Sequence, residues 1–186
     1  MRALVFAFAL LTATAAHAED RFTLDTAHTQ VAFSISRMGF THILGRFDET
    51  AGEVVLDSAT PANSSVHAVI QVASITSGNA TRDEHLRGDR WLNAAQFPTI
   101  EFQSTSVRVL GENHAEVTGN LTIHGVTAPA VLDVRLNQTG PGFNGGTLAG
   151  FSATTTITRS TFGITGGIPA IGDEVTIQIE ALGAKQ

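Results

Sequence analysis

The sequence contains no cysteine. This absence excludes disulfide bonds, thiol nucleophiles, cysteine-ligated zinc sites, iron–sulfur clusters and covalently attached haem. Basic residues are also scarce, with 11 Lys and Arg against 17 Asp and Glu and a net charge of −6. Because nucleic acids and anionic membrane surfaces attract clustered Lys and Arg, the composition argues against both as partners. Hydrophobic residues make up 42% of the chain, so we expect stability and function to depend on packed apolar surface.

Long apolar runs are lacking too, apart from a short one near the N-terminus. A positively charged start leads into the apolar run Ala3–Leu11, and Ala16-His17-Ala18 fits the small-x-small pattern of a cleavage site. These features are typical of a secretory signal peptide over residues 1–18, and they predict a periplasmic mature protein beginning at Glu19. The alternative, an uncleaved membrane anchor, needs roughly 20 apolar residues. No later segment approaches that length, so we expect one domain over residues 19–186, without stable membrane insertion.

Apolar and polar residues alternate with a period of two over most of the remaining chain, which is typical of β-strands with one buried face. The predicted strands are Phe22–Thr26, Val31–Ser36, Glu53–Leu56, Val66–Ile75, Ile100–Leu110, Val117–His124, Ala130–Asn137, Leu148–Thr158 and Val175–Ala181. The segment Thr81–Phe97 breaks the alternation. It predicts a short helix, capped by Asn79 or Thr81 and stopped by Pro98.

The alternating segments predict an all-β domain of about eight antiparallel strands with one short helical segment. Such strands must bury their apolar faces, and the pattern alone leaves a sandwich and a closed barrel open. A barrel of about eight strands has no free edges, and its interior is large enough for one small ligand.

Five motifs, in order and in register, resemble those of one protein family. They are Asp25–Phe33 in the opening strand, Gly45-Arg46-Phe47 followed by Gly52, Arg82–Leu86 with Trp91–Ala94 and Phe97-Pro98, Gly119–Thr127, and Arg159–Gly163. Together they resemble the YceI-like family, the periplasmic polyisoprenoid-binding proteins with a lipocalin-like barrel. One departure follows the first strand, where Arg37-Met38-Gly39 stands in place of a His that many members carry.

The resemblance implies an antiparallel lipocalin-like β-barrel around a hydrophobic tunnel. It also implies a carrier for a long-chain isoprenoid or a similar amphiphile, such as a quinone or a fatty-acyl lipid. Neither a cofactor nor a metal is expected, and a homodimer is left open.

Apolar residues on the predicted strands and helix are the candidates for the tunnel wall, its rim and its closed end. They are Phe33, Ile35, Phe40, Ile43, Phe47, Leu86, Trp91, Phe97, Phe102, Leu121, Ile123 and Phe151. The alternative is ordinary core packing without a cavity. Phe40, Ile43 and Phe47 belong to a Gly-bounded segment that we expect to form a rim.

Four polar residues are candidates for contacting a ligand head group: Arg37, His42, Arg82 and His85. Arginine suits phosphate because its planar guanidinium donates hydrogen bonds in pairs. The alternative for Arg82 and His85 is a solvated helix face held by local ion pairs. Arg159 is either a rival for the head group or an ion-pair partner of Asp173.

No two histidines have metal-site spacing, and we expect His28 and His124 to bond to turn backbone or to a carboxylate. Two other functions stay open. One is an exported hydrolase acting on a lipid-like substrate, although no G-x-S-x-G elbow is present. The other is a stress-response interaction module without a small ligand. The sequence therefore favours binding without catalysis, and no catalytic residue is assigned.

Overall fold

The computed structural model describes residues 19–143 and 145–186, and this part of the chain is mostly β-structure. The strands are β1 (Asp20–Leu24), β2 (Gln30–Arg37), β3 (Thr41–Phe47), β4 (Thr50–Leu56), β5 (Ser65–Gln71), β6 (Ile75–Thr76), β7 (Thr99–Gly111), β8 (His114–Ile123), β9 (Val126–Pro141), β10 (Thr147–Thr158) and β11 (Ile171–Lys185). One α-helix, α1 (Ala80–Arg87), lies between β6 and β7. The short 3-10 turns are Pro61–Asn63, Val72–Ser74 and Arg159–Phe162. The predicted signal peptide, residues 1–18, lies outside the described residues.

Eight of the strands close into an antiparallel barrel in the order β1-β4-β5-β7-β8-β9-β10-β11, and β11 pairs back onto β1. The last strand makes this closure because it has two partners along one edge. It pairs with β2 between Ile171 and Glu180, and with β1 between Gly183 and Lys185. β3 and β6 continue the sheet beyond β2. The closed barrel with one helix confirms the predicted lipocalin-like architecture and excludes the sandwich alternative.

The two ends of the barrel differ in their connections. At the helix-covered end, β2 turns into β3, β8 turns into β9, and residues 159–170 lead from β10 to β11. The segment of residues 80–97, which contains α1, covers this end. Its Trp91 lies under the Arg159 guanidinium, 5.3 Å from it. At the far end lie the turn between β7 and β8 and the connection between β9 and β10.

Two predictions about the elements were wrong. The expected rim segment is strand β3, which pairs with β2 from Thr41 to Phe47. The helix begins after Asn79 as expected, since the Asn79 side chain accepts a hydrogen bond from the Arg82 backbone N–H at 3.0 Å. It ends at Arg87, however, because the chain becomes extended at Gly88. Pro98 therefore lies eleven residues after the end of α1, directly before β7, and does not stop the helix.

Candidate functional site

The barrel encloses an elongated cavity of about 720 Å³. It arises from the alternation of side chains, because every second residue of a barrel strand points inward. The inward positions are Val31, Phe33, Ile35 and Arg37 on β2, Phe151, Ala153, Thr155 and Ile157 on β10 with Arg159 directly after it, and Ile171, Val175, Ile177, Ile179 and Ala181 on β11. On β11 this column extends for roughly 33 Å at about 3.3 Å per residue. The lining is overwhelmingly apolar, so the cavity suits a long apolar molecule.

Two glycines shape the cavity wall. A Cβ atom at Gly45 would come closer than 3.0 Å to the ring of Phe33, and one at Gly119 would do the same to the ring of Phe102. Each ring therefore lies against the backbone of the neighbouring strand instead of projecting across the cavity. The space in the middle of the barrel stays open because these two positions carry no side chain.

The charged residues that line the cavity are all basic. Two columns of inward apolar or small side chains lead to an arginine at the helix-covered end. The column of β2 ends in Arg37, and that of β10 is followed directly by Arg159. Helix α1 adds Arg82 and His85, with Leu86 beside them, at the spacing that places residues on one helix face. No Asp or Glu of the described chain lines the cavity. The helix-covered end is thus cationic in a chain of net charge −6.

Arg159 is only 4% exposed and is held by backbone carbonyls. Its Nε donates to the Gly172 oxygen at 2.8 Å, its Nη1 to the Ile164 oxygen at 2.9 Å, and its Nη2 to the Ile171 oxygen at 3.0 Å. Removal from water lowers the pKa of Arg159.

Asp173 does not form the predicted ion pair with Arg159. It accepts hydrogen bonds from the Ser160 hydroxyl at 2.7 Å and from the Ser160 backbone N–H at 2.9 Å. These bonds, the hydroxyl first, lower the pKa of the Asp173 carboxyl. The nearby Arg159 charge lowers it further.

A polar cluster fixes the start of α1. Arg82 donates from Nε to the Ser77 hydroxyl at 2.7 Å and from Nη2 to the Ser77 carbonyl at 2.8 Å. Asp83 accepts from the Ser77 backbone N–H at 2.8 Å. The side chains of His85 and Arg37 make no hydrogen bond or ion pair with other described residues, so both are free to meet a ligand.

The far end is lined differently. Its polar contributors are neutral or paired, namely Ser58, Ser64, Asn113 and His114. The His114 Nε2 lies 3.0 Å from the Asp133 carboxylate. On the neighbouring side of this end, Phe22 of β1 is fully buried beside Gly183.

Most of the predicted ligand-binding residues line the cavity, although their contact with a ligand stays a prediction. They are Phe33, Ile35, Arg37, Ile43, Phe47, Arg82, His85, Leu86, Trp91, Phe102, Leu121, Ile123 and Phe151. Three others lie outside its wall. Phe40 is 88% exposed at the β2–β3 turn, and His42 is exposed on β3. Phe97 packs against the ring of His124 with 4.6 Å between centroids.

Further lining residues were absent from the predicted set. They include Val31, Val107, Val117, Leu132, Val134, Leu136, Ala153, Ile157, Val175, Ile177 and Ile179. For Val31, Val117, Ala153 and Ile157 the signal was present, since each shares the inward parity of a residue already chosen on the same strand. The residues on β9 and β11 lie on the apolar face of predicted strands from which no site residue was chosen. Arg159 shares this parity with Ile157, which places it inside the barrel and not on the surface.

The histidines have separate surroundings. The His28 Nδ1 lies 2.7 Å from the Asp25 carboxylate, as expected, and this hydrogen bond lowers the pKa of Asp25. His124 differs from its prediction, because its Nε2 is buried without a hydrogen-bond partner in the described structure. Among residues 19–143 and 145–186, no three His, Asp or Glu side chains are grouped closely enough to hold a metal ion. No helix in the same ranges is long and apolar enough to span a bilayer.

Comparison with known proteins gives consistent results for sequence and fold. A UPF0312 protein of Shewanella denitrificans is 36% identical over 179 residues, which cover 95% of this chain and 93% of that protein. The crystal structure of Burkholderia cenocepacia BcnA superimposes with a TM-score of 0.78 at 27% identity, over 86% of this chain and 98% of that one. A polyisoprenoid binding domain from Saccharophagus degradans has the same fold, with a TM-score of 0.67, 18% identity, and coverage of 89% of this chain and 98% of that one. The model of the YceI-like domain matches residues 22–182, and the chain therefore belongs to the YceI-like family.

Proposed function

We propose that this protein is a non-catalytic periplasmic carrier that holds one long-chain isoprenoid, or a similar quinone or fatty-acyl lipid, inside its barrel. The observation that carries the proposal is the apolar cavity of about 720 Å³ that runs between the strands. Its volume lies within the range of about 300–1,000 Å³ that is usual for small-molecule sites. The family membership and the polyisoprenoid binding attributed to the Saccharophagus degradans domain point in the same direction.

The energetics suit reversible binding of a lipid tail. Burial of a twenty-carbon chain gains on the order of 16 kcal/mol, at roughly 0.8 kcal/mol per CH₂ group. Association and ordering cost about 4–15 kcal/mol. A modest net affinity remains, as a protein that must also release its cargo requires.

The first experiment is native mass spectrometry of the protein purified from its own cell envelope, followed by lipid extraction. We expect one lipid per chain and a rise in melting temperature when delipidated protein is mixed with geranylgeraniol. The carrier proposal fails if the purified protein holds no stoichiometric lipid and gains no thermal stability from isoprenoid, quinone or fatty-acyl ligands.

A matched pair of variants tests whether the ligand binds inside or outside the barrel. Thr155 lines the cavity, whereas its neighbour Thr156 is exposed on the outer face of β10. Thr155→Phe adds a ring to the cavity and is expected to abolish stabilisation by geranylgeraniol. Thr156→Phe adds the same ring to the outer surface and is expected to leave it unchanged. If geranylgeraniol stabilises the two variants equally, the ligand does not bind in the cavity.

A further inference from the structure

The cavity has an apolar wall, but its charged residues are concentrated at one end. Its arginines are gathered at the helix-covered end, where Arg37, Arg82 and Arg159 line it together with His85. The acidic neighbours of these residues are engaged elsewhere. Asp83 accepts a hydrogen bond from the Ser77 N–H, and Asp173 accepts two from Ser160. The positive charge at this end therefore has no carboxylate from the described chain within the cavity.

Arg159 supplies a buried positive charge. It is 4% exposed, and its hydrogen-bond partners are the carbonyl oxygens of Ile164, Ile171 and Gly172. Its direct contacts, the carbonyl groups and the face of Trp91 at 5.3 Å from the guanidinium, are uncharged. The Asp173 carboxylate acts on it at longer range, without forming an ion pair. A buried charge is normally balanced by an opposite charge, and an anion at this end of the cavity would balance Arg159.

Arg37 is the group best placed to contact such an anion directly. It occupies the last inward position of β2, after Val31, Phe33 and Ile35. Its strand partner on β11 is Ile171, whose carbonyl accepts a hydrogen bond from Arg159. The neighbouring ends of β2 and β11 thus carry Arg37 and one of the carbonyl groups that hold Arg159. The Arg37 side chain is exposed and makes no hydrogen bond or ion pair with other described residues, so its guanidinium donors are free.

From this arrangement we infer that the lipid carries an anionic head group, a phosphate or a carboxylate, which binds Arg37 at the helix-covered end while its tail lies along the apolar columns. The inference rests on the proposed carrier function and adds to it the charge and the position of the head. Guanidinium donors bind phosphate and carboxylate oxygens in pairs, and bonds between charged groups are about twice as strong as neutral ones. The buried Arg159 adds a fixed positive charge to the electrostatic potential at this end, and His85 lines the same end.

The experiment compares three ligands with the same twenty-carbon tail: geranylgeranyl monophosphate, geranylgeranoic acid and geranylgeraniol. Trp91 is the only tryptophan in the sequence and lines the cavity, so its fluorescence reports binding without a label. Wild type is titrated beside Arg37→Gln and a matched control, Arg135→Gln. Arg135 is exposed on β9 between the inward residues Val134 and Leu136.

We expect wild type to bind at least one of the two anionic ligands about tenfold more tightly than the alcohol, since each tenfold corresponds to about 1.4 kcal/mol. Arg37→Gln should lose most of this preference while its affinity for geranylgeraniol stays the same, and Arg135→Gln should behave as wild type. The anion that binds more tightly identifies the head group as a phosphate or a carboxylate.

Equal affinity for all three ligands, or an unchanged preference in Arg37→Gln, overturns the head-group inference. In both cases binding of the alcohol leaves the carrier function intact. Failure of all three ligands to bind would rule out a twenty-carbon isoprenoid as the cargo and overturn the head-group inference with it. Lipid extraction of the purified protein then decides the carrier function separately.

Discussion

The two ends of the barrel differ in the side chains that occupy their inward positions. At the far end, Phe22 is fully buried beside Gly183, and the polar residues that line the cavity there are neutral or paired. At the helix-covered end, the inward columns of β2 and β10 lead to Arg37 and Arg159. The difference shows that one alternating pattern builds both a buried core position and a cationic end of the cavity, depending on which side chains occupy the inward positions near the strand ends.

The largest contrast is expected between Phe22 and Phe33. Phe22→Ala should lower the free energy of unfolding by about 3–5 kcal/mol, because it empties a filled core position. Phe33→Ala should cost about 1–2 kcal/mol, because its ring already borders open space and loses fewer neighbours. Urea denaturation of both variants measures the difference. Equal losses would indicate that the interior around Phe33 is filled as completely as that around Phe22.

A second effect concerns the buried arginine of the helix-covered end. Arg159→Met should lower the free energy of unfolding by about 2–3 kcal/mol, because it leaves carbonyl oxygens of Ile164, Ile171 and Gly172 without their donors. Arg135→Met, on the outer face of β9, serves as the control and should change it by no more than about 0.5 kcal/mol. If both variants have the same stability as wild type, the guanidinium does not anchor residues 164–172.

The same end should respond to acid. The pKa of Asp173 is lowered in the folded protein, so between its folded and unfolded pKa values the unfolded state binds more protons. The stabilising contribution of this carboxylate is therefore complete above the unfolded pKa, about 4, and is lost as the pH falls through the folded pKa.

Asp173→Asn should remove this part of the acid sensitivity, as measured by thermal unfolding from pH 7 down to pH 2. Ser160→Ala should remove only the share that depends on the hydroxyl, since the Ser160 backbone N–H still donates. A variant Asp173→Asn with the full acid sensitivity of wild type would show that the Ser160 contacts do not matter for stability.

The smallest effect is expected at the tip of the β2–β3 turn. Phe40 is 88% exposed and lies outside the cavity wall, so Phe40→Ser should change the free energy of unfolding by no more than about 0.5 kcal/mol. Geranylgeraniol binding should also be unchanged. A clear loss of binding would show that Phe40 contacts the ligand and that the binding site extends beyond the cavity to the β2–β3 turn.

Alternation predicted most of the barrel and most of the cavity wall. It identified inward residues such as Phe33, Leu121 and Phe151 because parity on a strand determines which face a side chain occupies. It missed β3, where Gly45 interrupts the apolar parity between Ile43 and Phe47. That glycine makes room for Phe33, a contact between strands that no local pattern contains.

The polar part of the site was harder to predict, because sequence spacing does not show which of several arginines is free to contact a ligand. Arg82 and Arg37 looked equivalent, yet Arg82 is bound to Ser77 whereas Arg37 is free. Of the two alternatives for Arg159, the ion pair with Asp173 does not form, because the chain places carbonyl oxygens around its guanidinium instead. These outcomes depend on the path of residues 159–173 in three dimensions.

The double pairing of β11 has a consequence for how the chain folds. Its edge joins β1 and β2, so the seam that closes the barrel connects residues such as Phe22 and Lys185 across nearly the whole chain. Loop-closure entropy must be overcome before such distant contacts contribute, which makes folding slow in proteins rich in them. We expect the hairpins of β7 to β10, whose partners are adjacent in sequence, to form first. Closure by the last fifteen residues would then be the step that limits the rate.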